Sequence, residues 1–360
     1  MSLRDMMRRH ISGWMSLDGP ESDVVLSSRI RLARNLRGCK FPPRSTDAEN
    51  KDVLAKVEQV VVQLIESRTP LFKDGRWVRI SELSPIERQV LVERHLVSPQ
   101  YVQEVHARAV FISADETISV MVNEEDHLRI QTMNAGLRLT DSLSLASQVD
   151  DILEDSLDYE YSERLGYITT CPTNVGTGMR ASVMLHLPAL ALANRLQGIL
   201  QAMSRVGLVV RGLYGEGTDS VGNIVQLSNH VSLGCSEEEI VDNLSAMTLQ
   251  LINQERSARE ALARDLRIKL EDKIHRSYGI LTTARMLSSH ETMGLLSDVK
   301  LGIDLGMLEG VDPSAFTELL VLTRPAHLQE FIGTELTSEE RDVRRADLVR
   351  ERLKIDRQKE

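Results

Sequence analysis

Four irregular, breaker-rich stretches of this 360-residue chain carry arginines at spacings that could do chemistry. Arg29 and Arg31 lie two apart in Ser27-Ser28-Arg29-Ile30-Arg31, where an extended backbone projects both guanidinium groups from one face. Arg129 follows the polar turn Asn123-Glu124-Glu125-Asp126-His127, Arg180 follows Gly176-Thr177-Gly178, and Arg211 precedes Gly212-Leu213-Tyr214-Gly215-Glu216. Each alone reads equally well as a solvated surface arginine. Together they meet the need of a triphosphate that lacks a lysine cradle. Arginine is permanently charged and planar, and its bidentate bonds to phosphate oxygens are worth roughly 1.5 to 3 kcal/mol each. The chain has 34 Arg and 9 Lys, with no lysine between Lys73 and Lys269. A nucleotide site in that stretch therefore works without a P-loop lysine or the strand lysine of protein kinases. A GC-rich genome produces the same bias.

The acids point to the acceptor. Glu124, Glu125 and Asp126 share one turn, which also reads as a solvated hairpin tip, and Glu216 sits in a Gly-rich segment. Phosphoryl transfer to a hydroxyl calls for an Asp base in an H-R-D motif and a D-F-G motif, and neither occurs. Transfer to a guanidinium gives two carboxylates a purpose. With a pKa above about 12 that group arrives protonated, so one carboxylate holds its planar fork and one takes a proton as nitrogen attacks phosphorus. No H-E-x-x-H or Cys-x-x-Cys spacing suggests a protein-held metal, and Cys39, Cys171 and Cys235 are too scattered for a disulfide framework. Gly176-Thr177-Gly178-Met179-Arg180-Ala181 formally fits the dinucleotide fingerprint but lacks its context. Strand-type residues follow it, and no acid lies about 20 positions on.

The elements that must position these residues are legible in the spacing of apolar side chains. Residues 47–66 are amphipathic at three- and four-residue intervals, and Ser84-Pro85 opens a helix to about His95. Residues 107–133 alternate as a β-meander, 137–157 read as helix, and Gly166–Thr170 as a short strand. Ser182–Leu187 is a further strand, and Pro188 opens a single helix to about Met203. Residues 207–233 read as two strands around a Gly-rich loop, and a long helix with a Ser236 cap and an acidic first turn runs to about Leu266. Helical patterning continues to the end. The expected fold is α+β, with a mainly antiparallel sheet flanked by helices over residues 1–258 and an all-helical domain over 259–360.

Composition bounds the function. Hydrophobic residues are 42% and charged residues 27%, as in ordinary globular proteins, and a net charge of −10 argues against a nucleic-acid partner. No apolar run approaches the ~18 residues of a membrane span, and no signal-peptide core is visible, so no membrane partner and a cytoplasmic location are expected.

The four motifs, Ser27–Arg31, Asn123–Arg129, Cys171–Ala181 and Arg211–Glu216, occur in the order found in phosphagen kinases, the creatine and arginine kinases, which this chain resembles over about residues 14–255. It departs from them in having a short lead before Ser27 instead of a helical N-terminal domain, and in adding a helical C-terminal region. Arg341-Asp342-Val343-Arg344-Arg345-Ala346 in that region extends the resemblance, over the whole chain, to bacterial protein arginine kinases of the McsB type. The resemblance implies transfer of the ATP γ-phosphate to arginine side chains of proteins, as a tag for Clp-protease degradation. It places ATP on Ser27, Ser28, Arg29, Ile30 and Arg31, on His95 and Arg129, on Arg180, Ala181, Ser182, Val183 and Met184, and on Arg211, Gly212, Leu213, Tyr214, Gly215 and Glu216. It also gives Glu125 and Glu216 the grip on the guanidinium. Mg²⁺ would come with ATP and water near Glu124, and Cys171 occupies a reactive-cysteine position, although a small buried residue beside Pro172 would look the same. Residues 341–346 would form an allosteric phosphoarginine pocket, although a solvated charged helix would look the same. Protein substrates, a homodimer, an activator or adaptor protein and a Clp ATPase-protease are the implied partners. A kinase of small free arginine and a catalytically silent phosphoarginine-binding regulator are the alternatives.

Overall fold

A computed structural model describes residues 12–212 and 221–353. Its centre is an antiparallel sheet of eight strands among the described residues, in the order β2-β3-β4-β5-β1-β8-β10-β9. The strands are β1 (Val25–Arg34), β2 (Arg76–Arg79), β3 (Ala109–Ile112), β4 (Ile118–Val122), β5 (Leu128–Ala135), β8 (Met179–His186), β9 (Leu208–Gly212) and β10 (Ile224–Asn229), while β6 (Tyr161–Ser162) and β7 (Gly166–Tyr167) form a separate small hairpin. The expected meander is β3-β4-β5. The strand expected over 166–170 is only two residues long, because the chain turns at once toward the short helical turn Pro172–Asn174.

One face of the sheet is apolar. Ile30 and Leu32, Val120 and Val122, Leu128 and Ile130, Ala181 and Val183, and Val225 and Leu227 alternate inward along their strands into a single core. Helices α1 (Asp47–Glu66), α3 (Leu139–Glu154) and the 29-residue α6 (Glu237–Asp265) close that core. Val53, Val57 and Val61 at i+4 spacing make the stripe of α1, and reciprocal capping boxes start the helices: Thr46/Glu49 for α1, Ser84/Glu87 for α2 (Pro85–Glu93) and Ser236/Glu239 for α6. The single helix expected from Pro188 is two helices, α4 (Pro188–Leu192) and α5 (Leu196–Arg205). Asn194 between them adopts a left-handed φ of 56°, which asparagine tolerates and a helix does not.

The opposite face is covered at its two ends. Against one end packs α2, through Val90, Leu91 and Leu96. Against the other packs the C-terminal helical region: α7 (Arg267–Thr283), α8 (Ser289–Asp304), α9 (Ser314–Leu322), α10 (Pro325–Ile332) and α11 (Ser338–Arg352). Its core takes in Leu26, Met184 and Ile224 from the sheet. Residue 258 lies inside α6; the helix ends at Asp265, and Leu266 turns out of helical geometry before α7 begins. Glu255 of α6, fully buried, accepts the backbone N–H groups of Ala189 and Leu190 at 3.0 Å each and pairs with Arg259, which reaches Asp304 of α8 at 3.3 Å.

Arg345 is the corresponding fastener of α11. It is 1% exposed and donates to the Thr323 carbonyl from Nε and the Leu287 carbonyl from Nη1, at 2.7 Å each, and it pairs with Asp342. Removing it strands two buried carbonyls. Arg345→Ala is therefore expected to destabilise the protein by about 3 kcal/mol, while the exposed Arg344→Ala stays within about 0.5 kcal/mol. Denaturant unfolding of both variants checks this.

Candidate active site

Between those two ends the covered face is left open, and its residues are polar. The register of the central strands aligns them: Gln131 of β5, Arg31 of β1 and Arg180 of β8 are direct neighbours across three strands, as are Met133, Arg29 and Ser182. Arg211 of β9 pairs with Gln226 of β10. The result is a cavity of about 660 Å³ lined by Arg29, Arg31, Arg129, Arg180 and Arg211, with Glu124, Glu125, His95 and Cys171 on its walls.

The guanidinium groups crowd one another. Burial first, and then Arg129, Arg180 and Arg211, push the Arg29 pKa down to about 10; burial, with Arg29, Arg129 and Arg180, holds Arg31 well below its usual value. Arg29 is oriented by neutral acceptors, donating to Ser182 Oγ at 3.2 Å and Gln226 Oε1 at 2.8 Å. Arg31 Nε is buried with no hydrogen-bond partner. Depressed guanidinium pKa values together with a buried, unused donor describe a site that gains stability when a polyanion enters. A triphosphate fits that donor set.

The acidic wall is equally ordered. Glu124 accepts from Ser98 Oγ and pairs with Arg129, whose other nitrogen lies 3.4 Å from Glu125. Burial raises the Glu125 pKa, partly opposed by Arg129 and reinforced by Asp126 and Glu124. Among the described residues no cluster of His, Cys, Asp and Glu could cage a metal. His95 stands at the end of α2 with a left-handed φ of 59°, and burial with Arg29 and Arg324 lowers its pKa to about 3. It is neutral at working pH and adds no charge to the arginine cluster.

The Gly176–Gly178 loop has a structural role. A Cβ on Gly178 would lie 2.5 Å from Arg34 Nη1 and 2.7 Å from the Ala33 carbonyl. The glycine lets Arg34 donate to the Thr177 carbonyl at 3.0 Å while its plane lies over Tyr167 and its other nitrogens hold Asp150. Cys171 and Asn174, one turn earlier, are thereby held at the cavity wall, with Cys171 Sγ 3.1 Å from Thr173 Oγ1.

Of the other residues assigned to ATP, several face elsewhere. Ser28 donates to the Gly136 carbonyl at 2.8 Å and accepts from Arg138 N. Ile30, Ala181 and Val183 lie in the apolar core, and Met184 lies in that of the helical region. Ser27 is buried on the polar side without lining the cavity, Ser182 acts through Arg29, and Gly212 ends β9. Leu213, Tyr214, Gly215 and Glu216 lie outside the described residues. Of the 341–346 motif, Arg345 and Ala346 are buried, Arg341 and Asp342 half-buried, and Val343 and Arg344 exposed. Ser98, Gln131 and Gln226 belong to the site but were not expected. Alternation in β5 places Gln131 beside Arg129, whereas nothing in Ser98-Pro99-Gln100 announces a contact with Glu124.

Comparison with known proteins agrees with this geometry. Residues 56–258 match the ATP:guanido phosphotransferase C-terminal catalytic domain, and residues 267–360 match the protein-arginine kinase McsB C-terminal domain. The crystal structure of lombricine kinase superposes with a TM-score of 0.58 at 26% identity, covering 70% of each chain. The fold is that of the ATP:guanido phosphotransferases. At full length, the chain is 49% identical to the protein-arginine kinase of Bacillus licheniformis and 48% identical to that of Bacillus subtilis, in both cases over 99% of this chain and 97% of the relative. Within that class the chain belongs to the protein-arginine kinase family.

Arg31, whose Nε has no partner of its own, gives the sharpest test of the cage. Arg31→Lys keeps the charge but loses the planar fork, and should raise the ATP dissociation constant about tenfold or more, read by calorimetry.

Proposed function

We infer that this protein transfers the γ-phosphate of ATP to the guanidinium of arginine side chains in proteins. The observation that carries this reading is the pairing, in one cavity, of a repelling arginine cluster with a carboxylate whose pKa is raised. The cluster suits the phosphates, with Arg29, Arg31, Arg129, Arg180 and Arg211 in fixed positions on one sheet face. Glu125 suits the acceptor. Its ionised form grips the guanidinium and takes one proton from the attacking nitrogen as that nitrogen bonds to phosphorus and the bond to the departing ADP oxygen breaks. A base of raised pKa is better matched to so weak an acid than an ordinary carboxylate. Glu216 shares the grip on the strength of the family resemblance alone. A Mg²⁺ ion, when bound with the nucleotide, would supply charge neutralisation on the phosphates, and the resemblance gives Glu124 the role of holding it through water.

The resemblance extends the proposal. Phosphorylated proteins would be handed to a Clp protease, the enzyme would work as a cytoplasmic homodimer with an activator protein, and residues 341–346 would bind phosphoarginine. Because Arg345 is used internally and holds Asp342, Arg341 and the exposed Arg344 are the guanidinium groups left to meet such a ligand. The catalytic unit is drawn over 1–258 and the helical one over 259–360, with α6 shared between them. A kinase limited to free arginine differs in one respect, since it would gain nothing from a protein acceptor.

Glu125→Gln is expected to lower kcat by about 10² to 10⁴ while ATP binding survives. In the unmodified enzyme the rate should fall on the acid side at a pH above the ordinary carboxylate range, because a raised pKa means the base takes up its proton sooner as pH drops. Near-normal turnover by the variant would remove the base assignment.

The product should be an acid-labile P–N phosphate on arginine, and a protein acceptor with its arginines changed to lysine should receive none, because lysine lacks the planar fork. Mass spectrometry under neutral and acidic conditions, with free arginine as the competing acceptor, separates this reading from phosphoserine formation and from a small-molecule kinase.

A further inference from the structure

Three consecutive residues at the end of α2 face three different parts of the molecule. His95 lines the cavity. Arg94, wholly buried, makes a two-pronged pair with Glu116 at 2.8 Å for each nitrogen, donates to Ser12 Oγ at 2.9 Å and lies 2.9 Å from His327 Nε2. Glu93, 6% exposed, turns the other way into the helical region, where its two oxygens accept the first-turn N–H groups of α10, from Ala326 at 3.0 Å and His327 at 2.7 Å. Glu93 caps a helix of the other domain, from 233 residues away in sequence.

We propose that Glu93 is a positioning residue for the nucleotide site: by gripping the first turn of α10 it fixes the end of α2, and so sets where His95 stands in the cavity. The reading rests on the cavity being the ATP site. Little slack lies between the two residues. His95 N bonds to the Val92 carbonyl at 2.9 Å, Leu96 N to Leu91 at 3.0 Å, and the His95 carbonyl accepts from Gln131 Nε2 at 2.8 Å. His95 also meets the Trp14 ring edge-on, with centroids 5.4 Å apart. A shift of α10 therefore reaches His95 through one rigid turn. On the far side, α10 begins at Pro325, two residues after Thr323, whose carbonyl is the anchor of Arg345 in α11. The helical region thus has a packed mechanical route to the nucleotide.

The charge state of Glu93 supports a grip that depends on pH. Burial pushes its pKa up to about 7, against the two backbone bonds and against Arg324, before α10, and Arg345, on α11. Those arginines, His95, and on α10 itself His327, whose ring meets the adjoining Arg94, are the charged and titratable groups around it. Above pH 7 both oxygens accept; below it one carries a proton and can no longer receive an N–H. The stability sign runs the other way. A carboxyl whose pKa is raised by folding favours the folded state most at low pH, and this contribution is lost as pH rises from the ordinary carboxylate value through about 7. Glu93→Gln should therefore be no less stable than wild type at pH 8.

The test measures ATP affinity by calorimetry on the full chain for wild type, Glu93→Gln, His95→Ala and the double variant. Glu93→Gln should weaken ATP about five- to tenfold, the equivalent of one ordinary hydrogen bond, with kcat at saturating ATP and KM for the protein acceptor within about twofold. His95→Ala should weaken it at least as much, and the double variant no further, because both act through one ring. The ratio of variant to wild-type dissociation constants, in which the protonation of the nucleotide itself cancels, should fall toward one between pH 8 and pH 6. Unchanged affinity in Glu93→Gln with a weakened His95→Ala overturns the proposal, as do additive effects or a ratio independent of pH. Unchanged affinity in His95→Ala overturns the underlying assignment of the cavity.

Discussion

Arg29, Arg31, Arg129, Arg180 and Arg211 share one partly desolvated sheet face, and their mutual repulsion is the constraint against which the surrounding structure is built. Unit charges about 8 Å apart repel by roughly 2 kcal/mol at an effective dielectric near 20, so the apo protein holds a loaded arrangement. Among the described residues, Glu124 and Glu125 oppose it from the cavity wall, Glu124 through its pair with Arg129 and its field at Arg31. Neutral groups orient two members of the wall: Ser182 and Gln226 orient Arg29, and Ser98 orients Glu124. Neutral acceptors keep Arg29 in place without quenching it, which leaves its attraction available to a phosphate chain.

Holding such a face together needs packing that does not cross it. The largest apolar core lies beneath the sheet, closed by α1, α3 and α6, while α2 and the helical region pack smaller apolar clusters against the other side only at its margins. The two margins are tied to each other by Glu93 and Arg94, and the helical region is tied to the layer beneath by Glu255, Arg259 and Asp304. Buried ion pairs of this kind contribute little net stability compared with apolar packing, but breaking one is expensive. They act here as locators. The catalytic and helical regions are consequently one mechanical object, although two family models divide the chain between residues 258 and 267.

Much of this was legible in the sequence where one local signal decided the outcome. The two-residue spacing of Arg29 and Arg31, the capping boxes and the valine stripe of α1 act over a few residues and survive any tertiary context. What was illegible depended on distant partners. Ser28 and Ile30 stand in the same motif as the cage arginines, yet strand alternation turns them into the core, so a motif marks a strand more reliably than it marks contacts. Arg345 has the composition of a surface residue, and only the positions of Thr323 and Leu287, 22 and 58 residues away, make it a fastener. Asn194 broke an expected helix through its own backbone, a local effect that apolar periodicity does not report. Glu93 carried no signal, because its partners are backbone N–H groups.

The cage draws its members from β1, β5, β8 and β9, and a strand shifted by one residue turns its whole set of side chains to the other face. Adding or deleting a single residue within any of these strands would therefore exchange arginines for valines and isoleucines in the cavity, and charge for apolar surface in the core, in one event. The same change in the turn between β6 and β7 would move nothing in the cage. Change in length is thus confined by geometry to the connections, while the strands can alter only by substitution. A lineage carrying this site would diverge in the lengths of its loops long before it diverged in the spacing of its arginines.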